Sequence, residues 1–283
     1  MAGVPRIVLH CHNMRPSNLH HSDEISFGWD RAYRALLSRE NVVFVNVADI
    51  AVQDYLAWFG GTASAQTRTI RNGFDFTQFR DREHEFLAGI RSELGIPAGA
   101  PVVGTALRFT AVKQPSVWLE MASRVAKARP DVHFVLYGDG QLLEESREQA
   151  RRLGLGENVH FPGRVNDLYR RLPLMDLFVL SSRSEGLPNV LIEAQALGVV
   201  PVTFDVGGCR ETLDEGETGV LVGQQTADAL AAAVLDLVDN PERRAAMAAR
   251  GRGMVRQRFA IERMLGDIAA VILGEPAADS QAS

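Results

Sequence analysis

At 283 residues the chain is long enough for about two domains of roughly 150 residues each. Its 46% hydrophobic and 23% charged residues are a globular composition, which excludes global disorder. With 30 Lys and Arg against 35 Asp and Glu, the net charge of −5 has the wrong sign for a general nucleic-acid binder, although a local basic pocket for one small anion stays open. The two cysteines, Cys11 and Cys209, stand far apart, so neither a disulfide scaffold nor a zinc module is expected, and a reducing compartment is. No apolar run approaches the ~18 residues of a membrane span. Met1–Arg6 has no long apolar segment ahead of a cleavage site, so the expected location is cytoplasmic.

Along the chain, the first expected strand is Ile7–Cys11, ending in His10-Cys11-His12-Asn13. With His20 and His21 close behind, these histidines read either as a metal site or as an ordinary strand end, and their loop spacing favours the strand end. A helix over Trp29–Arg39, a strand over Val42–Val47 and a helix over Ile50–Phe59 follow. Asn72-Gly73 is a strong turn signal, and the charged stretch Arg80–Glu85 comes after it, so a domain boundary is placed between 71 and 72. Residues 1–71 then hold two or three strands and one or two helices, about half of an α/β domain. Such a piece needs cover from the other domain, from a missing N-terminal segment or from a second chain.

From 72 to 258 short apolar runs alternate regularly with helical periodicity. Strands are expected at Val102–Leu107, His133–Tyr137, Val159–Phe161, Leu177–Leu180, Val199–Phe204 and Gly219–Val222. Most are apolar throughout, as strands covered on both faces of a parallel sheet are. Between them lie helices at Ser116–Arg129, where Val117, Met121 and Val125 share a stripe, and at Gln141–Leu153, Pro188–Leu197, Thr226–Val238 and Pro241–Phe259. Asn240-Pro241-Glu242 is a good helix start. The pattern predicts an α/β fold: one complete Rossmann-like, doubly wound parallel-sheet domain over 72–258, preceded by a partial Rossmann-like lobe. Residues 259–283 are expected to form a last helix and, from Glu275, a disordered tail.

The chemistry is expected on the loops that follow strands. Ser181–Glu193 comes after the apolar run Leu177–Leu180, at the carboxyl end of a strand, where open α/β sheets bind ligands. Pro188 suits a first helical turn, with Glu185 on the loop before it and Glu193 a turn further in. The free N–H groups of that helix start favour a phosphate, and a carboxylate to either side can accept from hydroxyls. The spacing suits a nucleotide sugar. Its plainer alternative is two solvated surface glutamates. Arg108 and Lys113 occupy another strand-end loop and could neutralise a diphosphate leaving group. Gly207-Gly208, in the loop Asp205–Glu211, permits close backbone approach to phosphate or sugar. Gly138-Asp139-Gly140 starts like a dinucleotide fingerprint but lacks the third glycine, which disfavours NAD.

Taken together these motifs resemble the nucleotide-sugar domain of retaining GT-B glycosyltransferases of family 4. The family's E-x7-E signature is matched by Glu185 and Glu193, and its Arg-x4-Lys clamp by Arg108 and Lys113. The hinge motif appears as Asn72-Gly73-Phe74-Asp75, followed by Gly138–Gly140 and Gly163-Arg164-Val165. The resemblance implies Glu185 at the donor sugar and Glu193 at the ribose hydroxyls. It places Arg108 and Lys113 on the diphosphate, with backbone N–H groups near Gly186, Leu187, Pro188 and Asn189, and Arg164 and Val165 against the nucleobase. His12 would face the donor sugar. The implied partners are a nucleotide-sugar donor and a saccharide or lipid-linked acceptor, with no cofactor and no metal. The sequence departs from the family at Gln114, where a glycine is usual, and in the incomplete acceptor-side lobe. Two other readings share the anion-site logic: a catalytically incompetent nucleotide-sugar-binding module, and a sugar-nucleotide epimerase or phosphorylase on the same fold. Arg243, Arg244, Arg250, Arg252, Arg256 and Arg258 form either a solvated basic face or a weak contact with anionic lipid at the inner membrane face.

Overall fold

The structure is a computed structural model that describes residues 6–12, 14, 24–60, 65–79 and 83–275, with the side chains of the first helix described from residue 31. Asn13, His20, His21, Arg80 and the tail from residue 276 lie outside the described residues. The chain divides into two compact units. The first takes residues 1–74, 185–187 and 259–283; the second takes 75–184 and 188–258.

In the first unit three parallel strands run in the order β1-β2-β3: β1 (Ile7–Cys11), β2 (Val42–Asn46) and β3 (Gln66–Thr69). The central strand, β2, is buried along its whole length, and its alternate residues serve opposite faces. Val42 and Phe44 pack with Cys11, Leu37 and Tyr55, which belong to β1, α1 (Glu24–Leu37) and α2 (Asp49–Phe59). Val43 and Val45 face Met264, Ile268 and Val271 of α10 (Ile261–Leu273). Asn46 is buried because its Oδ1 accepts from the Val47 N–H at 2.8 Å. β3 was not foreseen: Gln-Thr-Arg-Thr carries no apolar residue, and as an edge strand it is held by its pairing with β2. The turn glycine Gly73 has a steric reason, because a Cβ there would lie 2.8 Å from the Ile261 Cα. The chain leaves this unit after Phe74 and returns at Phe259. The two passages are tied by Phe74 N–H to Phe259 O at 2.8 Å and Ile261 N–H to Phe74 O at 3.1 Å.

The second unit is built on a six-stranded parallel sheet in the order β6-β5-β4-β7-β8-β9. Its strands are β4 (Val102–Ala106), β5 (His133–Tyr137), β6 (Val159–Gly163), β7 (Leu177–Leu180), β8 (Val200–Phe204) and β9 (Val220–Val222). Every paired register in it is parallel. The expected strands are thus present to within a residue or two. α4 (Pro115–Ala128) packs against α5 (Leu143–Arg152) and α8 (Ala227–Asp239), while α7 (Asn189–Ala196) packs against α9 (Pro241–Arg258). Trp118, Phe134, Phe178 and Phe204 are fully buried at the centre. The Trp118 indole N–H is satisfied by the Val179 carbonyl at 3.1 Å, which joins α4 to β7. Two helices were not foreseen. α3 (His84–Glu93) buries only Leu87 and Ile90 beneath a largely polar sequence, and α6 (Leu168–Arg171) is a single turn. Two helix starts need correcting: α1 begins at Glu24 rather than Trp29, and Pro188 is the cap of α7, with φ −74° and ψ 97°, so helical geometry there begins at Asn189. Among the described residues no helix is long and apolar enough to cross a membrane.

Candidate active site

Strand order decides where a ligand belongs in the second unit. Starting from β4, the chain builds outward through β5 and β6, then returns to the other side of β4 with β7, β8 and β9. The reversal lies between β4 and β7, where the connections leave in opposite directions and open a crevice at the carboxyl ends. The loop after β4 carries Arg108 and Lys113, and the loop after β7 leads to Glu193 on α7. Two residues far apart in sequence tie these loops together: the Arg183 N–H donates to the Val112 carbonyl at 2.8 Å. Beside that bond the buried Ser181 hydroxyl reaches the carbonyls of Lys113 at 2.9 Å and Gln114 at 3.1 Å.

Glu193 sits on the second turn of α7, half-buried, and no hydrogen bond or ion pair is found for its carboxylate among the described residues. Burial raises its carboxyl pKa above the usual range for glutamate. A carboxylate kept from water without a partner is costly in the free protein and well placed to accept from ligand hydroxyls. The start of α7 supplies the complementary polarity. Pro188 has no side-chain acceptor to cap the helix, and Asn189, where the helix starts, is exposed. Arg108 is exposed, and its guanidinium has no partner among the described residues. Lys113 is half-buried at the end of a short 3-10 turn over Ala111–Lys113.

Neighbouring loops extend this edge. Gly138 follows β5 with φ 128°, and a Cβ there would lie 1.9 Å from the Leu107 carbonyl oxygen, so only glycine lets β5 end so close to β4. Its N–H donates to Gly163 O at 2.9 Å, which fixes the loop carrying Arg164 and Val165 after β6. Arg164 is exposed and lies 3.9 Å from the Asp139 carboxylate, while Val165 packs on the core. Gly207 and Gly208 open a 3-10 turn after β8, on the far side of β7. Arg108, Lys113, Arg164, Val165, Pro188, Asn189, Glu193, Gly207 and Gly208 therefore stand on carboxyl-end loops or helix starts of one sheet.

The remaining expected residues belong to the first unit. Glu185 is half-buried, with Gly186 and Leu187 buried beside it, and these three group with that unit although they lie in the β7–α7 loop. His12 is exposed just beyond β1, its ring 4.3 Å from that of His10. Among the described residues no group of three or more metal-ligating side chains exists. The six late arginines are engaged internally. Arg243 pairs with Asp236, Arg244 donates to Leu237 O at 2.8 Å, and Arg250 meets Glu217 at 3.0 Å. Arg252 reaches Leu197 O at 3.5 Å, Arg256 lies 5.5 Å over the Phe76 ring, and Arg258 meets Asp214 at 2.9 Å. α9 is thereby clamped to its own unit. Val112, Ser181 and Arg183 carry no mark in the sequence that singles them out, since their importance depends on strand order.

Comparison with known proteins gives a consistent result. The family model described as "Glycosyl transferases group 1" matches residues 88–254. The Vi polysaccharide biosynthesis protein VipC/TviE of Salmonella typhi is 36% identical over 177 residues, 62% of this chain and 31% of that protein. A GDP-mannose-dependent monoacylated alpha-(1-6)-phosphatidylinositol monomannoside mannosyltransferase of Corynebacterium glutamicum is 30% identical over 214 residues, 72% of this chain and 55% of its own length. The chain spans about half or less of these curated relatives. Among solved structures, Anabaena Alr3699/HepE in complex with UDP-glucose superposes with a TM-score of 0.83 at 23% identity, covering 95% of this chain and 72% of that one. Sucrose-phosphate synthase from Thermosynechococcus elongatus does so with a TM-score of 0.77 at 24% identity, covering 94% and 68%.

Proposed function

The chain belongs to the glycosyl transferases group 1 family and has the α/β, GT-B type of fold, and from that premise we propose that it carries the donor site of a retaining, family 4 hexosyltransferase. The donor is a nucleoside-diphosphate sugar, and the acceptor is a saccharide or a lipid-linked acceptor. The observation that carries this reading is the bond between Arg183 N–H and Val112 O, which holds the cation-bearing β4 loop against the β7–α7 loop across the switch point. Arg108 and Lys113 are assigned to the diphosphate, together with the first N–H groups of α7 at Asn189. Glu193 takes the ribose hydroxyls, and Arg164 and Val165 lie against the base. Glu185 and His12 are assigned to the donor sugar on the family resemblance.

The chemistry follows from charge. Departure of the diphosphate leaves negative charge that fixed cations and a helix start stabilise without reorganising. These groups can do the work of a metal, so none is assigned. Retention follows if the acceptor attacks the face the diphosphate leaves, with a donor phosphate oxygen taking the acceptor proton. The Corynebacterium relative is named for GDP-mannose and the HepE structure contains UDP-glucose, so guanosine and uridine diphosphate sugars are the first donors to test. In a donor-consumption assay Lys113→Ala is expected to lower turnover about 100-fold, the scale of losing one donor to developing charge. Unchanged turnover would contradict the assignment of the clamp, and nucleotide binding without turnover would favour a binding module.

A further inference from the structure

Gln114, directly after Lys113, is the one non-glycine residue with positive φ among the described residues, at φ 48° and ψ 55°. Pro115 begins α4 and disfavours the right-handed helical region for the residue before it, which by itself would favour extended backbone, so the left-handed turn at Gln114 is imposed by the surrounding fold. The Gln114 side chain gives no visible compensation, since its Oε1 is buried without a hydrogen-bond partner among the described residues. What holds the conformation is the backbone. The Gln114 N–H donates to Ala111 O at 3.3 Å, and its carbonyl accepts from the Trp118 N–H at 3.2 Å and from the Ser181 hydroxyl at 3.1 Å. The same hydroxyl reaches Lys113 O at 2.9 Å, so one fully buried proton at the end of β7 is shared by two consecutive carbonyls of the β4 loop.

We propose that Ser181 is a positioning residue for the diphosphate clamp, its buried hydroxyl bracing Gln114 in the left-handed conformation and so fixing the direction in which Lys113 points. This rests on the assignment of Lys113 to the diphosphate and adds how that lysine is aimed. Ser181 touches no substrate. It acts through the main chain at 113 and 114, and its effect is set by the cost of the left-handed state at 114. A glycine at 114 adopts that state without steric cost and has no need of the brace.

The test is a double-mutant cycle on the full chain, with inorganic pyrophosphate as the calorimetric probe and melting temperature as a parallel readout. Ser181→Ala is expected to weaken pyrophosphate binding about tenfold, as expected for loss of a hydrogen-bonded brace. Gln114→Gly alone is expected to raise the melting temperature. Ser181→Ala combined with Gln114→Gly is expected to recover most of the lost affinity, which a merely structural role for Ser181 would not produce. Wild-type affinity in Ser181→Ala overturns the proposal, and so does a loss that glycine at 114 fails to rescue. If Ser181→Ala does not fold, the double variant is compared with Gln114→Gly, and a tenfold gap between those two also overturns it. Lys113→Ala separates the levels: no loss of pyrophosphate binding there refutes the clamp itself, whereas a loss there with none in Ser181→Ala refutes only the brace.

Discussion

Glu193 combines a cost to stability with the role in binding the ribose proposed for it. Burial without a partner raises its pKa, so the folded chain holds the proton more tightly than the unfolded chain does. Stability therefore falls as pH rises from the ordinary glutamate value of 4.5 through the raised one, and the cost persists at neutral pH. Glu193→Gln removes that cost. Its melting temperature is expected above wild type at pH 7 and equal to it below pH 4.5, while its affinity for a nucleoside diphosphate drops about tenfold as a charge-assisted bond becomes a neutral one. A variant that melts below wild type at pH 7 would contradict this account. The residue was legible in advance because its spacing from a strand end and from Pro188 set it one turn into a helix. Ser181 was not, because a buried serine looks like any other until the strand beside it is known.

Among the elements, those with strong internal patterns were readable. β5 and β7 are continuous apolar runs, and α4 has its stripe, so their bounds were nearly right from the sequence. β3 and α3 were missed because tertiary pairing supports them more than their own residues do. β5 and β6 also carry a feature no periodicity reveals. His133 Nδ1 and His160 Nε2 lie 3.2 Å apart with nearly parallel rings, joining the edge strand β6 to its neighbour. Burial pulls both pKa values down, that of His160 to about 4, with Arg91 lowering and Asp131 raising that of His133. Between about 4 and the ordinary 6.5 the unfolded chain binds more protons, so stability is expected to fall as pH drops through that window. Denaturant midpoints from pH 7 to 4 check this: His160→Gln should show a shallower decline than wild type, and an equal slope would place the acid sensitivity elsewhere.

For the whole molecule, alternation of strands and helices indicated a parallel α/β sheet, but it did not contain the order β6-β5-β4-β7-β8-β9. That order is set by which helices share which face, a property of packing between segments distant in sequence. It is also what turns a list of polar loops into a site, because it makes the β4 and β7 loops neighbours across the reversal point. A nucleoside diphosphate is proposed to bind at that point through Arg108 and Lys113. Titration calorimetry of the intact chain with UDP and GDP tests it most directly. At least one of them is expected to bind with one-to-one stoichiometry, and Arg108→Ala with Lys113→Ala is expected to abolish the heat. Binding that survives the double substitution, or no binding of either nucleotide, would contradict it.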